Sequence, residues 1–467
     1  MDGEVIGGAT VKKTVMLLAL LLCLSFSLPA QAVTIKSTTT MNYREGHNAL
    51  DYLAEHPEIT IEEVNWDYYS TLDLTSRMTT RSFEADIYLL RFQDIDRETM
   101  MRKGFCMDLS GSKVLMELVG RMYPNIVEQI MFDGGLYAWP DGMTFSCMRV
   151  DPEVWEAAGL TRADIPDSFP AFLEFAESWC DRLESDPNLD IHIMGGMDGY
   201  GELFRENGDA LYVDWLLELL IHQVVAQQQY AGEELHFDDE EIKALIRRCD
   251  EVGRRIYRAE SNNPMGRKGM FMAQDFWQWP RTTDSLVYLR LNDSQPRLIE
   301  ANLRTYAVNP ATKEPDTCLK LMEAYAASPV LDEVYDLYFY ADKENFLHGW
   351  YEKDMAGYQA RIGSLRERLE DETLSEESRF ALEDELAFEI SCMEEQESRK
   401  WVLHPEALED YRAHIGELYF AKPNVLTEVE SSSQIFKLRG QVSRGAISVE
   451  QFIQRLCDIT SMMRQEQ

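Results

Sequence analysis

Histidine is scarce, 8 residues in 467, and the eight are scattered, so no transition-metal ligand set can be assembled from neighbours along the chain. The pattern His-Glu-x-x-His is absent, as are Gly-x-Ser-x-Gly and a glycine-rich phosphate loop, which removes the sequence signatures of zinc proteases, serine hydrolases of the elbow type and nucleotide-cradling enzymes. Asp186, Asn188 and Asp190 begin like a calcium loop, but Ile191 stands where the turn glycine belongs and Met197 where the closing glutamate belongs, so no calcium site is expected. Basic residues are also in short supply: 45 Lys and Arg face 82 Asp and Glu, a formal net charge of −37. A surface this acidic repels phosphate backbones and anionic bilayers, which argues against nucleic-acid binding. No Cys-x-x-Cys pair occurs. Apart from Cys23 the cysteines are far apart, so most should be buried thiols rather than a disulfide framework or a zinc site. Neither a metal nor a cofactor is expected.

What is present begins with an export segment. Lys12 and Lys13 precede an apolar run over 15–28 that ends in Pro29 and the small-residue signature Ala30-Gln31-Ala32, the pattern of a signal peptide cleaved after Ala32. Asp2 and Glu4 are unusual ahead of such a run, and a start near Val11 fits the pattern better. Leu22 precedes Cys23, where lipid attachment calls for a small residue. The later apolar run over 215–225 is broken by Glu218 and His222 and reads as a buried helix, not a membrane span. The expected location is therefore outside the cytoplasm, periplasmic or at the cell surface.

The length suits two domains. From Val33 strands and helices alternate: strand 33–36, helix 46–56, strand 59–64, helix 67–81, strand 85–90. Such alternation predicts an α/β fold with a parallel sheet covered by helices and ligands at the carboxyl ends of the strands. An aromatic follows each strand: Tyr43, Trp66, and Phe92 with Asp94. Asp133-Gly134 and Asp141-Gly142 read as turns. Helices are expected over 211–228 and 238–258, then a strand-like run over 286–291. Past residue 341, Met355, Tyr358, Ile362, Leu365 and Leu369, and then Leu382, Leu386, Ile390 and Met393, recur three and four apart around a break at 371–375. This is a charged helical hairpin, either a solvated pair or a partner surface. Capping boxes are expected at Thr373/Glu376 and Ser448/Gln451.

The stretch 270–280 carries Phe276, Trp277 and Trp279 before Pro280 and Arg281, a poor helix and a good aromatic wall for a flat or sugar-like ligand.

Taken in order, the strand at Ala85-Asp86-Ile87, Gly104-Phe105 leading to Asp108-Leu109, the run from Asp133 to Pro140, Trp155 to Leu160, the aromatic stretch, and Thr305 to Asn309 before a helix resemble the extracellular solute-binding proteins of bacterial ABC importers, in the sugar-binding class to which maltose-binding protein belongs. The resemblance spans most of 33–330 and rests on order and spacing. It implies a two-lobed periplasmic-binding-protein-like fold, each lobe a sheet flanked by helices. The first lobe would comprise 33–142 and 291–327, and the second 143–290 and 328–467, with the hairpin inserted over 355–400 and crossings near Met143, Leu291 and Ala327. It also implies a monomer that captures a small solute, a carbohydrate above all, and hands it to a membrane permease. The expected ligand-binding residues are Tyr43, Trp66, Arg91, Phe92, Asp94, Trp139, Tyr200, Phe276, Trp277, Trp279 and Arg281, with Trp277 or Trp279 facing the strand ends across open space. Trp155, Trp179 and Trp215 are expected to be packing. Two alternatives stand beside this reading: a solute-binding fold used for sensing or surface interaction, and a glycoside-acting enzyme built on two carboxylates about 5–10 Å apart.

Overall fold

The structure is a computed structural model, which describes residues 32–38, 48–64, 71–90, 95–186, 189, 191–194, 209–260, 269–276, 278–327, 334–424, 426 and 434–466. Its strands are β1 (Val33–Ser37), β2 (Ile59–Glu63), β3 (Ile87–Leu90), β4 (Met131–Phe132), β5 (Gly135–Leu136), β6 (Trp139–Val150), β7 (His192–Met194), β8 (Gly269–Phe276), β9 (Leu286–Val287), β10 (Ile299–Val308) and β11 (Leu418–Phe420). One mixed sheet runs β2-β1-β3-β10-β6-β8-β7, with β11 added to β10 and β9 to β6, while β4 and β5 form a separate ribbon. The helices used below are α1 (Arg97–Arg102), α2 (Asp209–Ala231), α3 (Glu240–Glu260), α4 (Pro315–Ala326), α5 (Tyr351–Leu369), α6 (Glu376–Ser398), α7 (Pro405–His414), α8 (Gln434–Ser443) and α9 (Val449–Glu466).

The apolar side chains gather into two cores. The first holds Ile35, Ile87, Leu90, Trp139, Met143, Phe145, Trp279, Leu303, Tyr338 and Tyr411. The second holds Met148, Val150, Phe172, Trp179, Leu216, Ile246, Phe271, Leu438 and Phe452. The chain moves between them on extended segments. β6 leaves the first core after Cys147 and enters the second at Met148, and the return lies between Phe271 and Trp279. Next, Leu286 and Tyr288 pack in the first core while Val287 and Leu289 pack in the second, as alternation along an extended chain at a boundary requires. The last pass falls between Phe420 and Leu426.

That last pass corrects the expected crossing near Ala327 and the assignment of 328–420 to the second lobe. Tyr325, Tyr338, Tyr340, Leu408, Tyr411 and Phe420 all pack in the first core. The Trp279 amide donates to the Tyr338 hydroxyl at 2.7 Å, and the Tyr411 hydroxyl donates to the Tyr338 carbonyl at 2.8 Å. Buried phenols need such partners, and these two find them within the first core.

Two local readings change as well. Asp141-Gly142 is not a turn but lies inside β6. The hairpin of α5 and α6 is present, yet its second helix is capped by Ser375, whose hydroxyl accepts from the Ser378 amide at 3.2 Å, while Thr373 bonds Asp371. At Ser448 and Gln451 the expected reciprocal box forms, with bonds of 2.9 and 3.2 Å. The hairpin is tied at its base to the first core by His348 N to Lys400 O, 2.9 Å, and Val402 N to Phe346 O, 3.1 Å.

Candidate functional site

The strands β1, β2 and β3 are parallel, so their carboxyl ends point the same way. The segments that follow them carry Tyr43, Trp66, Arg91, Phe92 and Asp94, which lie outside the described residues, as do Tyr200 and Trp277. Phe276 is described by its backbone alone, opposite Phe145. Arg281 is exposed just beyond Pro280.

Where β3 ends, the sheet carries an irregularity. Leu90 is level with Thr305 of β10, which is level with Pro140 of β6, but the next step pairs Arg304 with Gly142 and leaves Asp141 as an extra residue. This is a β-bulge, a device that re-aims a side chain and occurs often beside functional sites. The Asp141 carboxylate is only 2 % exposed, ion-pairs with Arg304 and accepts from the Tyr325 hydroxyl of α4. Gly142 permits this arrangement: a Cβ there would sit 3.1 Å from the Arg304 guanidinium.

Beyond the bulge the alternation of β10 sorts its side chains. Ile299, Ala301 and Leu303 enter the first core, so Glu300, Asn302 and Arg304 take the opposite face. Across on β6 the register sets Thr144 beside Asn302 and Ser146 beside Glu300, with Asp275 of β8 at the next register position. The Asn302 amide donates to the Ser146 hydroxyl at 3.1 Å, while its carbonyl oxygen is buried with no hydrogen-bond partner among the described residues. A buried amide oxygen left this way is an acceptor available to a ligand or an ordered water. At the far end of the row Tyr419 of β11 donates to Gln229 of α2, and burial, then the nearby Glu300 carboxylate, pushes its phenol well above the ordinary range.

The outer edge of β10 is completed by a side chain. β3 covers Thr305 to Val308 and β11 covers Ile299 to Ala301, leaving a gap between them. Arg97 of α1 fills it, donating from Nη1 to the Leu303 carbonyl at 2.8 Å and from Nη2 to Gln129 at 3.0 Å. Burial lowers its pKa to about 10. Close by, Lys422, in the last crossing segment, reaches Glu98 of α1 at 2.8 Å.

Two expected platform residues are corrected by this geometry. Trp139 and Trp279 are each 3 % exposed and belong to the first core. Trp279 packs edge-on to Phe145 at 4.9 Å and to Tyr411 at 5.1 Å, and its indole nitrogen donates to Asp410 of α7 at 2.7 Å. The ring and its polar tip are both committed inside the first core. The residues that sequence reasoning missed are Asp141, Thr144, Ser146, Glu300, Asn302 and Arg304. For Glu300, Asn302 and Arg304 the signal was the strict alternation Ile-Glu-Ala-Asn-Leu-Arg over 299–304, the pattern of a strand with one face buried.

Chemically, the face offers hydroxyls, an amide, a carboxylate and a guanidinium already neutralised by Asp141. Among the described residues no group of His, Cys, Asp and Glu is placed to hold a metal ion, and no helix is long and apolar enough to cross a membrane.

No protein-family model and no curated protein matches the chain. Among solved structures it is similar to an ABC transporter solute-binding protein from Agrobacterium vitis S4 with bound D-mannitol, at 12 % identity and a TM-score of 0.46, covering 94 % of this chain and 99 % of that one. It is similar to a periplasmic solute-binding protein from Pectobacterium atrosepticum SCRI1043 at 13 % identity and 0.46, covering 93 % and 99 %. A third is a sugar transporter from Bacillus licheniformis in complex with stachyose, at 11 % identity and 0.45, covering 91 % and 98 %.

Proposed function

We propose that the chain is an exported solute-binding receptor that captures a small solute, of the carbohydrate class, between its two cores and delivers it to an ABC importer by closing about the crossing segments. The observation that carries this reading is the polar face of β6 and β10. It lies where the chain passes between two separately packed cores, one strand over from the carboxyl end of β3, and it presents mixed donors and acceptors instead of apolar packing. Polyhydroxyl ligands need such alternating partners, and a two-core body joined by a few extended segments is suited to hinge closure. Phe92 and Trp277 are proposed as stacking surfaces, since they follow β3 and β8, which end beside β10 and β6, with Trp66, after β2 on the same side of the sheet's parallel half, as a third, and Asp94 and Arg91 as polar contacts beside Phe92.

A titration across a panel of sugars, followed by tryptophan fluorescence, tests the proposal. Saturable quenching or enhancement by a sugar is expected. Silence to every sugar together with a response to amino acids or peptides would remove the carbohydrate part.

A further inference from the structure

The outer face of α6 has no role in the site above and is unusual in composition. Phe380 is 64 % exposed and Phe388 67 %, both far more open than a soluble helix needs them to be. They are eight positions apart and so share one stripe, with Asp384 between them and the small residues Ala387 and Ser391 alongside. The hairpin does not need these rings, because its own seam is closed by Ile362, Leu365 and Leu382, all buried. Around the stripe the charge is of one sign: α6 carries nine acidic side chains and a single basic one, Arg379. That arginine is turned to the hairpin bend, donating to the Leu369 carbonyl at 3.1 Å and the Asp371 carbonyl at 3.3 Å. On α5, Arg361 is taken by Glu389 at 2.9 Å.

We propose that the outer stripe of α6 docks a basic amphipathic helix of a partner protein, whose apolar side chains cover Phe380 and Phe388 and whose lysines or arginines meet Glu377, Asp384 and Glu394. Aromatic anchors inside a ring of charge are the usual anatomy of a specific contact. The charge selects among occupants. A second copy of this chain would bring the same acidic stripe and a net charge of −37, and an anionic bilayer would be repelled by the same carboxylates. A basic partner gains both the apolar contact and the ion pairs. At 23 residues α6 is about 34 Å long, enough to seat a partner helix of several turns.

The test uses the full-length chain and a labelled amphipathic peptide of leucine and lysine, read by fluorescence anisotropy, with a lysine and glutamine peptide of equal charge as control. The leucine and lysine peptide is expected to bind with an affinity that falls as salt rises. F380S with F388S should weaken it about tenfold or more, and E377K with D384K should remove most of the salt dependence, with circular dichroism and melting temperature unchanged. A glutamine pair at the same two positions, which keeps helix propensity, should repeat the loss. The proposal is overturned if the phenylalanine variants bind as the unaltered chain does, if the glutamine peptide binds equally, or if neither peptide binds. It is also overturned if sedimentation shows a dimer that the variants dissolve, which would make the stripe a self-contact.

Discussion

The Arg97 guanidinium donates to the Leu303 carbonyl across 2.8 Å, joining positions 206 residues apart and standing in for a strand that the sheet lacks between β3 and β11. Replacing it by methionine keeps the bulk but orphans a buried carbonyl and the Gln129 side chain. Urea unfolding is expected to show a loss of about 1–3 kcal/mol. An unchanged midpoint would mean that water satisfies the carbonyl equally well.

Asn302 tests the site itself. Its carbonyl oxygen is buried without a partner among the described residues, so alanine there takes one acceptor from a bound solute and costs the apo protein the bond to Ser146. Affinity for the sugar found by titration should fall about fivefold to tenfold, a loss of about 1–1.4 kcal/mol, beside a stability loss of about 1 kcal/mol from the missing bond to Ser146. Isothermal calorimetry on the purified variant checks this.

Trp279 separates core from platform. W279F keeps the edge-on packing but leaves the Asp410 carboxylate without its indole donor, so stability should drop by about 1–2 kcal/mol while ligand affinity holds. A large loss of affinity with intact stability would restore Trp279 to the ligand-binding wall.

Charge in the second core is concentrated at Arg439, 3 % exposed, which pairs with Asp214 at 3.2 Å and Glu218 at 3.3 Å. R439A leaves both carboxylates facing a gap between α2 and α8 and should cost about 3–5 kcal/mol in chemical denaturation, where a surface arginine would cost almost nothing.

His222, on the same helix as those carboxylates, gives a dependence on pH. Burial pulls its pKa below the ordinary histidine value, with Glu218 opposing and Arg439 adding. A depressed folded-state pKa means that the unfolded chain binds the proton more readily. The stability it contributes is therefore present above about pH 6.5 and is lost as the pH falls through the folded-state value. H222Q should flatten the slope of melting temperature against pH between about 7 and 5. Parallel slopes for the two proteins would rule His222 out as the source.

Local signals carried the first strands and the helices. β-branched runs marked β1 and β2 on either side of a helical stretch, and helical spacing of Ile242, Leu245, Ile246, Cys249 and Val252 marked α3 to within two residues of its bounds. The polar face was harder because it depends on pairing at a distance. Asp141-Gly142 has the composition of a turn, and only registration against Arg304 and Thr305 turns it into a bulge. The burial of Trp279 depends likewise on Tyr338, Asp410 and Tyr411, which come far later in the chain and which no window around 270–280 contains. Aromatic composition could identify a binding wall or a core cluster, and the partners decided for the core at that tryptophan.

The late final pass between Phe420 and Leu426 bears on how the molecule is completed. Ile435, Leu438, Val442, Phe452, Ile453, Leu456 and Ile459 come from the last two helices and fill the second core, while Phe420 is among the last residues of the first. A chain emerging from its amino end therefore finishes neither half early. The apolar flanks of α2 and α3 stay wet until α8 and α9 arrive, and long-range closures of this kind are slow to form. A polypeptide cut short before residue 434 would retain its strands and most of its helices yet expose the seat of α8, leaving a sticky and protease-sensitive product rather than a smaller working protein.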